Sequence, residues 1–345
     1  MLRNRWNVRI LLVGIITMVV TGGFKNAEAK GKYAAEFLRI GVGARPLAMG
    51  GAFVALANDG TAFYWNPAGL SNVPGIEVNF EHADMFGGLA QYNAGSAALC
   101  IGRNSTIGVS WIRLAVNDIP RYSELPQGYW DRITNPALRS TGEAEGYFGD
   151  SENAFMFSFA RKFEFELNLG GGLSPDWIPS ELAIGVSYKY IDQHLDNSRG
   201  SGQGIDAGAL FRMMSNRKAE GAPFRSIAFG VNLQDVAKTT VKWNTASNAK
   251  DVAALTLKVG AAVSQWIQPL RTDLTLVFDK DTGESEGTYF GGELAIKRVV
   301  ALRMGSHDND LTVGVGLRIK NLRLDYACVG YQLQTTHRVS GAVHF

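Results

Sequence analysis

The chain has 345 residues, of which 46% are hydrophobic, 19% are charged and 40 are glycine. Soluble domains usually carry about 25% charged residues, and a helical membrane protein would be far more apolar than a chain with a mean hydropathy of −0.04. The composition lies between these two classes, as in transmembrane β-barrels, where only alternate residues meet lipid. The formal net charge of +2 predicts no nucleic-acid partner.

The first 29 residues have the pattern of a signal peptide. A basic stretch, Arg3 to Arg9, precedes an apolar run from Ile10 to Val20 and a small-x-small site at Ala27 to Ala29. The apolar run is too short to cross a hydrocarbon core of about 30 Å as a helix. We therefore predict export and cleavage near Ala29, with an uncleaved anchor as the alternative. No later apolar stretch reaches eighteen residues, so no transmembrane helix is expected.

From Ile76 onward the sequence returns repeatedly to an alternation of apolar and polar or small residues. This period of two places successive side chains on opposite faces of a strand. The clearest run has its apolar members at Leu182, Ile184, Val186, Tyr188 and Tyr190. We count fourteen such runs, an even number as in bacterial single-chain barrels, centred near residues 79, 95, 109, 157, 187, 207, 230, 259, 276, 293, 302, 315, 325 and 341. The prediction is an all-β, fourteen-stranded antiparallel transmembrane barrel over residues 76–345.

The connections between the predicted strands should be short on one side of the membrane and long on the other. Three tight connections, Gly102–Asn104, Lys297–Arg298 and Lys320–Asn321, fall on one side, and the longest loop, residues 115–151, falls on the other. Three further connections on the tight side are longer than this rule expects: residues 163–181, 212–224 and 264–272.

Aromatic residues suggest where the barrel meets its surroundings. The loop 115–151 is rich in aromatic residues and proline, which favours a contact surface, with a self-packed lid as the alternative. Residues expected at the membrane interfaces are Trp111, Tyr188, Tyr190 and Tyr326.

Residues 30–75 differ from the rest of the chain. The stretch from Ala34 to Leu70 is rich in Ala and Gly, and it predicts a helix over Leu47–Ala57 that is broken at Asn58 to Gly60. This region is too irregular for strands and too short for a domain. We predict a short, partly helical plug, or hatch, inside the barrel, with a plain periplasmic extension as the alternative.

The last strand ends in an aromatic residue. Val339, Gly341, Val343 and Phe345 alternate up to the final position. Barrel-assembly machinery reads an amphipathic final strand that ends in Phe, so Val339, Val343 and Phe345 are the expected assembly signal. The expected partners are this machinery and the lipid of a Gram-negative outer membrane.

Four elements near the N-terminus carry a family resemblance: Gly43 to Arg45, Met49 to Ala52, Asn58-Asp59 and Asn66 to Leu70. Together, Phe37 to Leu70 resembles the N-terminal signature of the PorV/PorQ outer-membrane proteins, which are relatives of the FadL transporters. The stretch Leu311 to Asp325 is similar to the closing strands of that family. The middle loops give no residue-level match.

The resemblance implies a fourteen-stranded barrel with an N-terminal hatch. Some members of the family receive secreted cargo proteins in type IX secretion, and FadL relatives admit hydrophobic molecules through a lateral opening. From the resemblance we predict a non-enzymatic protein that assists secretion or surface display by docking cargo. The alternative is a passive transporter of hydrophobic small molecules.

Within the hatch, one set of residues is expected to shape the plug and to gate it: Gly50, Gly51, Asn58, Asp59, Asn66, Pro67, Ala68 and Gly69. The residue before a proline is held extended, and glycine permits sharp turns and close backbone approach. Asn66-Pro67 therefore suits a kink, and Gly50-Gly51 suits contact with the wall. The alternative is that these glycines only pack the plug.

No constellation of residues predicts catalysis or a cofactor. Gly41-Val42-Gly43 begins a dinucleotide motif, but Pro46 occupies the position of the third glycine. Gly283 to Gly287 has the G-x-S-x-G spacing, yet an alternating strand rather than a helix follows it, which favours an acidic turn. A soluble periplasmic β-sandwich enzyme, the third hypothesis, lacks catalytic residues.

A metal site is not expected either. Four aspartates predicted in loops could attract Ca²⁺ through oxygen ligands, namely Asp279, Asp281, Asp308 and Asp310. The position that requires glycine in a calcium loop is Glu284, however. The five histidines show no metal-ligand spacing.

The two cysteines, Cys100 and Cys328, fall in the second and thirteenth predicted strands. These strands are three places apart around the barrel, which separates the Cα atoms by about 14 Å. A disulfide requires less than about 7 Å. We predict two free thiols.

Overall fold

The computed structural model describes residues 34–122, 128–136, 143–168, 170, 177–215, 224–282, 286–308, 310–330 and 335–345. The predicted signal peptide lies outside these residues. Within the described ranges, no helix has the length and apolar character needed to cross a bilayer.

Fourteen antiparallel strands close into a barrel, which confirms the predicted fold class. Each wall strand pairs with the next wall strand in the sequence, so that β7 pairs with β10. The last strand, β16, pairs with β1 and closes the ring. Strands β8 and β9 form a hairpin that is not one of the fourteen wall strands; β8 pairs with Gly200–Gln203 near the start of β6, before the stretch of β6 that pairs with β7. The strands are β1 (Ile76–Met85), β2 (Ala90–Ile101), β3 (Ser105–Arg121), β4 (Gly146–Asn168), β5 (Trp177–Leu195), β6 (Ser198–Met214), β7 (Ser226–Gln234), β8 (Thr240–Trp243), β9 (Lys250–Val252), β10 (Thr256–Ile267), β11 (Thr272–Asp281), β12 (Gly287–Ile296), β13 (Val300–His307), β14 (Asp310–Ile319), β15 (Leu322–Val329) and β16 (Thr336–His344).

The wall is apolar outside and polar inside. In β1, the side chains of Val78 and Phe80 are exposed on the outer surface, whereas Glu77, Asn79 and Glu81 are buried in the interior. The same alternation recurs in the other strands and leaves a broad band of exposed large apolar residues. Closure pairs every wall strand on both edges, as a hydrocarbon environment requires. The outer surface is therefore that of a transmembrane barrel.

All fourteen predicted strand centres fall within wall strands, but four strands are longer than expected. β3, β4, β5 and β6 contain 17, 23, 19 and 17 residues. The loop predicted at 115–151 is therefore only 122–145, and β3 carries a bulge between Val116 and Ile119. Beyond the membrane both strand faces meet water, so the alternation fades although pairing continues.

The two ends of the barrel differ in their connections. At the end where β1 begins, residues 102–104, 268–271, 297–299 and 320–321 join strands in short turns. We call this the short-turn end and the opposite one the long-loop end. Residues 268–271 replace the predicted connection 264–272, because the flanking strands continue further than their alternation indicates. The loop 122–145 at the long-loop end contains helix α3 (Tyr129–Thr134), whose Tyr129 and Trp130 are exposed.

Residues 34–73 lie inside the barrel as a plug. This segment contains helices α1 (Ala44–Ala48) and α2 (Ala62–Trp65) and 3₁₀ turns at Glu36–Arg39 and Pro67–Asn72. The helix predicted over Leu47–Ala57 was wrong. α1 ends at Ala48, because Gly50 and Gly51 adopt φ angles of 70° and 80°, which a right-handed helix cannot contain.

Candidate functional site

The interior of the plug is a small apolar core. Phe37, Phe53, Phe63 and Leu70 are buried almost completely, and Trp65 packs edge-on against Phe53 with ring centroids 6.4 Å apart. The apolar residues of a segment that contacts a polar lumen must bury themselves against one another. The plug therefore presents backbone and polar groups to the wall.

One ion-pair network joins α1 to the wall. The Arg45 guanidinium makes a two-point contact with Glu293 of β12, with Nε–Oε2 at 2.9 Å and Nη2–Oε1 at 3.0 Å. Glu293 also accepts a bond from Arg303 of β13 at 2.7 Å, and Arg303 bonds Asp325 of β15 at 2.8 Å. Each carboxylate thus has at least one guanidinium partner, as buried charges require.

Asp59 extends this network. Its carboxylate lies 3.1 Å from Arg45 and 3.2 Å from Arg323 of β15, and it accepts bonds from the Thr61 hydroxyl and backbone. Burial alone would raise the pKa of Asp59, but Arg323, Arg45 and the Thr61 bonds together hold its pKa below the ordinary value of 3.8. Asp59 is therefore ionised at neutral pH and acts as a fixed bridge from plug to wall.

A second charged anchor holds the start of α1. Glu81 of β1 accepts a bond from the Gly43 backbone at 2.6 Å and from Arg338 of β16 at 3.1 Å. Arg338 is fully buried, and its guanidinium lies over the Tyr92 ring, 5.0 Å from the centroid. This anchor spans the seam where the first and last strands meet.

The predicted Asn66-Pro67 element is a kink fixed to both plug and wall. Asn66 is extended, with φ −165° and ψ 104°, and Pro67 begins the following 3₁₀ turn. The Asn66 amide donates to the carbonyls of Val54 at 2.9 Å and Ala209 of β6 at 3.1 Å. Its oxygen accepts from the Ala68 backbone at 3.2 Å. Gly69 packs directly against Ala57, where a Cβ would collide with the backbone.

Glycines of the wall let the plug approach it at backbone distance. A Cβ added to Gly185 of β5, Gly230 of β7 or Gly305 of β13 would collide with the plug backbone. On the plug itself, a Cβ on Gly50 would lie 2.6 Å from the Ser306 nitrogen. The predicted close approach of Gly50 to the wall is thus present, and it is a packing contact.

The structure brings the predicted hatch residues together in one segment, and all of them are buried except Asn58, which is half-buried. The Asn58 oxygen accepts a bond from Arg45 at 2.7 Å. A gating role for this set stays a prediction. Sequence reasoning missed the charged partners in the wall: Glu77, Glu81, Glu293, Arg303, Arg323, Asp325 and Arg338. The sequence could have pointed to them, because each occupies a polar, inward position in an alternating strand.

The predicted terminal residues lie at the seam of the barrel. Val339 is exposed on the outer surface and Val343 is half-buried. Both lie in β16, whose register with β1 runs from His344 opposite Glu77 to His337 opposite Asp84. Phe345 exchanges two backbone bonds with Ile76, at 2.8 and 3.2 Å. Their role as an assembly signal stays a prediction.

The remaining candidate sites are dispersed. Asp279 and Asp281 were expected in a loop, and this was wrong: both are buried in β11, where Asp279 accepts bonds from the Phe53 and Val54 backbone at 2.6 and 2.7 Å. With Lys280 between them, the three consecutive charged residues look like a turn in the sequence. Among the described residues, no group of three or more His, Cys, Asp or Glu is placed to hold a metal.

Three other predicted features concern the G-x-S-x-G sequence, the cysteines and the aromatic residues of the wall. The residues 283–285 of the G-x-S-x-G sequence lie outside the described ranges. Cys100 and Cys328 are both free, as predicted. The outer surface carries Tyr188 and Tyr326, whereas Trp111 is half-buried and donates to Asn153 at 3.2 Å.

Two cavities flank the plug, one toward each end of the barrel. The cavity toward the long-loop end measures about 140 Å³ and is lined by Leu38, Tyr64, Met156, Ala253 and Tyr289 together with charged and polar groups. The principal charges there are paired with one another: the Lys189 ammonium lies 2.9 Å from Asp206 and 2.6 Å from Asp235. The cavity toward the short-turn end measures about 550 Å³ and is strongly charged.

The wall also has an apolar hollow on its outer surface. It measures about 600 Å³ and is lined by Val263, Leu276, Phe278, Phe290, Gly292 and Met304. This hollow faces the lipid rather than the lumen. The plug backbone lies immediately behind it at Gly291 and Gly305.

No family model and no curated protein matches the chain. Several solved structures resemble it in shape. They include the Pseudomonas putida toluene transporter TodX, at 11% identity over 88% of this chain and 97% of that one, with a TM-score of 0.46. A TodX deletion mutant described as a monoaromatic hydrocarbon channel gives 12% identity, 88% and 98% coverage and a TM-score of 0.47. A Pseudomonas aeruginosa FadL homologue gives 11% identity, 85% and 96% coverage and a TM-score of 0.39.

Proposed function

We propose that the protein is a passive transporter of a Gram-negative outer membrane that admits small hydrophobic molecules. The apolar outer band and polar interior support a membrane wall that encloses a water-accessible lumen. Barrels of this kind place short turns in the periplasm and long loops outside the cell. In this orientation the 140 Å³ cavity faces the exterior and the plug lies between it and the periplasm.

The external cavity is the observation that carries the proposal. Its volume of about 140 Å³ is close to the roughly 150 Å³ of a cavity that can hold benzene. Leu38, Tyr64, Met156 and Tyr289 supply apolar and aromatic surface to it. The lining cations already have carboxylate partners within the protein, namely Lys189 with Asp206 and Asp235, Lys258 with Asp281 and Arg39 with Glu36. This pairing favours an uncharged ligand.

The test is the uptake of a fluorescent apolar probe, N-phenylnaphthylamine, by cells that express the wild-type chain, no chain, or a variant with a filled cavity. Ala253→Trp places a large ring in the cavity, and we expect uptake to slow several-fold. Ala246→Trp, on the exposed turn of the same hairpin, is the matched control and should leave the rate unchanged. Equal uptake with and without the protein would reject transport.

The secretion role implied by the PorV/PorQ resemblance stays a prediction, since no contact among the described residues favours cargo docking over transport. It has its own test in the cells that express no chain. If proteins with C-terminal secretion signals accumulated in the periplasm while probe uptake stayed normal, secretion would replace transport. The expectation that the chain is not an enzyme, and the expected assembly and cargo partners, also stay predictions.

A further inference from the structure

The cavity at the short-turn end, which we call the vestibule, carries an unbalanced charge. It measures about 550 Å³, and seven arginine or lysine side chains line it against three carboxylates. Counterions or carboxylates within the protein normally balance such a cluster. Only cations without a carboxylate partner inside the protein are available to bind a ligand in the vestibule.

Two of the three carboxylates belong to the plug network. Glu293 bonds Arg45 and Arg303, and Asp325 bonds Arg303 and lies 3.0 Å from Arg323. Behind the lining, the further carboxylates of the network also contact Arg45 and Arg323. These three arginines are therefore neutralised within the protein.

The third carboxylate, Asp273, is shared by Arg225 and by Arg298, whose Nε lies 3.6 Å away. This leaves Arg318 and Lys320, at the end of β14 and in the turn after it. Neither makes an ion pair or a side-chain hydrogen bond with any other described residue. They are the surplus charge of the vestibule.

The position of Arg318 adds a second, independent observation. On β14 it follows Thr312, Gly314 and Gly316 on the inward face, and its cross-strand partner in β15 is Arg323. Like charges directly opposite each other on one face of a sheet are destabilising. The space above Gly316 is occupied by charged groups, since a Cβ there would lie 2.6 Å from Asp325 and 2.7 Å from Arg303. Arg323 already has its carboxylate partners, so Arg318 lies opposite a like charge without a carboxylate of its own, and a bound anion would supply the missing partner.

We propose that the vestibule, whose lining includes both Arg318 and Lys320, binds a small oxyanion, a phosphate or carboxylate group, through the guanidinium of Arg318. Guanidinium groups bind both anions through paired, charge-assisted hydrogen bonds. The vestibule is large enough for such a group to enter from the short-turn end. The proposal concerns a site on the other side of the plug from the external cavity, and it holds whatever the barrel transports.

Binding is measured on the full-length protein, purified in a non-ionic detergent and titrated calorimetrically with inorganic phosphate and, separately, with acetate. We expect the wild type to bind at least one of them, and the one bound identifies the preferred anion. Arg318→Gln should weaken that binding about tenfold or more, because it removes a charge-assisted contact. Arg103→Gln removes the same charge from an exposed turn at the same end but outside the vestibule, and it should bind as the wild type does.

Thermal unfolding separates a binding role from a structural one. Without added anion, Arg318→Gln should unfold at the same or a higher temperature than the wild type, because the like-charged pair is relieved. A merely structural arginine would give a lower temperature. Saturating phosphate or acetate should raise the unfolding temperature of the wild type and of Arg103→Gln, and not that of Arg318→Gln. Absence of binding by the wild type to both anions, or equal binding by both variants, would overturn the proposal.

Discussion

The plug is held differently on its two sides. Toward β12–β16 and β1 it is tied to the wall by ion pairs, of which Arg45–Glu293 and Asp59–Arg323 are the centre. Toward β4–β7 the described plug residues make no ion pair with the wall. There the Asn232 amide donates to the Trp65 carbonyl at 2.9 Å, and the plug backbone rests on wall glycines.

The difference implies two kinds of sensitivity. Removing one member of a buried ion pair leaves an uncompensated charge, so the charged side should respond to loss of a group. The uncharged side depends on close approach, so it should respond to added volume. The substitutions below separate these responses.

Glu293→Ala should have the largest effect. It leaves Arg45 and Arg303 without their shared carboxylate, and loss of one partner in a buried pair costs about 3–5 kcal/mol. The free energy of unfolding in urea, measured in detergent micelles, reports the loss. Glu164→Ala, which breaks an exposed pair with Lys162, is the control and should cost less than about 1 kcal/mol. Similar losses in both variants would contradict the network.

Gly185→Val tests the uncharged side. The added side chain meets the backbone of Pro67 and Ala68, and overpacking of this kind costs about 1–3 kcal/mol. Gly292→Val is the matched control on the outer surface, where the nearest atom to the new Cβ is 3.6 Å away. The urea midpoint should fall only for Gly185→Val. A tolerated Gly185→Val would mean that the plug does not rest on this wall.

Asn66→Ala should have a somewhat smaller effect on the same side. It removes the donor to the buried carbonyls of Val54 and Ala209, and unsatisfied buried groups cost about 1–3 kcal/mol. Asn153→Ala, which removes one half-buried acceptor, is the comparison and should cost less. Hydrogen exchange of the Ala68 amide should also accelerate in Asn66→Ala. Unchanged protection would show that the kink forms without the side chain.

The smallest expected effect is that of pH, between 7 and 5, on the stability that the Asp59 carboxylate contributes. Its pKa is lower in the folded protein than the ordinary 3.8, so its contribution is fully present above that value and is lost as pH falls through the folded pKa. Urea midpoints of the wild type and of Asp59→Asn should therefore differ by a constant amount from pH 7 to 5 and converge below about pH 4. A difference in urea midpoint that grows as the pH falls would contradict this prediction.

The sequence predicts the wall much better than the contacts of the plug. Alternation is a local pattern, so all fourteen strand centres could be placed. The alternation did not reveal the outer parts of β3 and β4, where both faces of the strand meet water. It also misplaced Asp279 to Asp281, because a run of charged residues is typical of a turn. Arg45 belongs to a recognisable motif, but its partner Glu293 lies 248 positions away. No local pattern specifies which inward carboxylate receives it.

The seam between β1 and β16 has a consequence for the order of assembly. The Ala44 nitrogen of the plug donates to the Ser340 hydroxyl across 296 positions of sequence, and Arg338 donates to the Gly41 carbonyl across 297. The plug is thus bound directly by β16, nearly 300 positions later in the chain. We expect the plug to enter the barrel before β16 pairs with β1, because the closed ring of strands leaves no lateral opening for a folded segment.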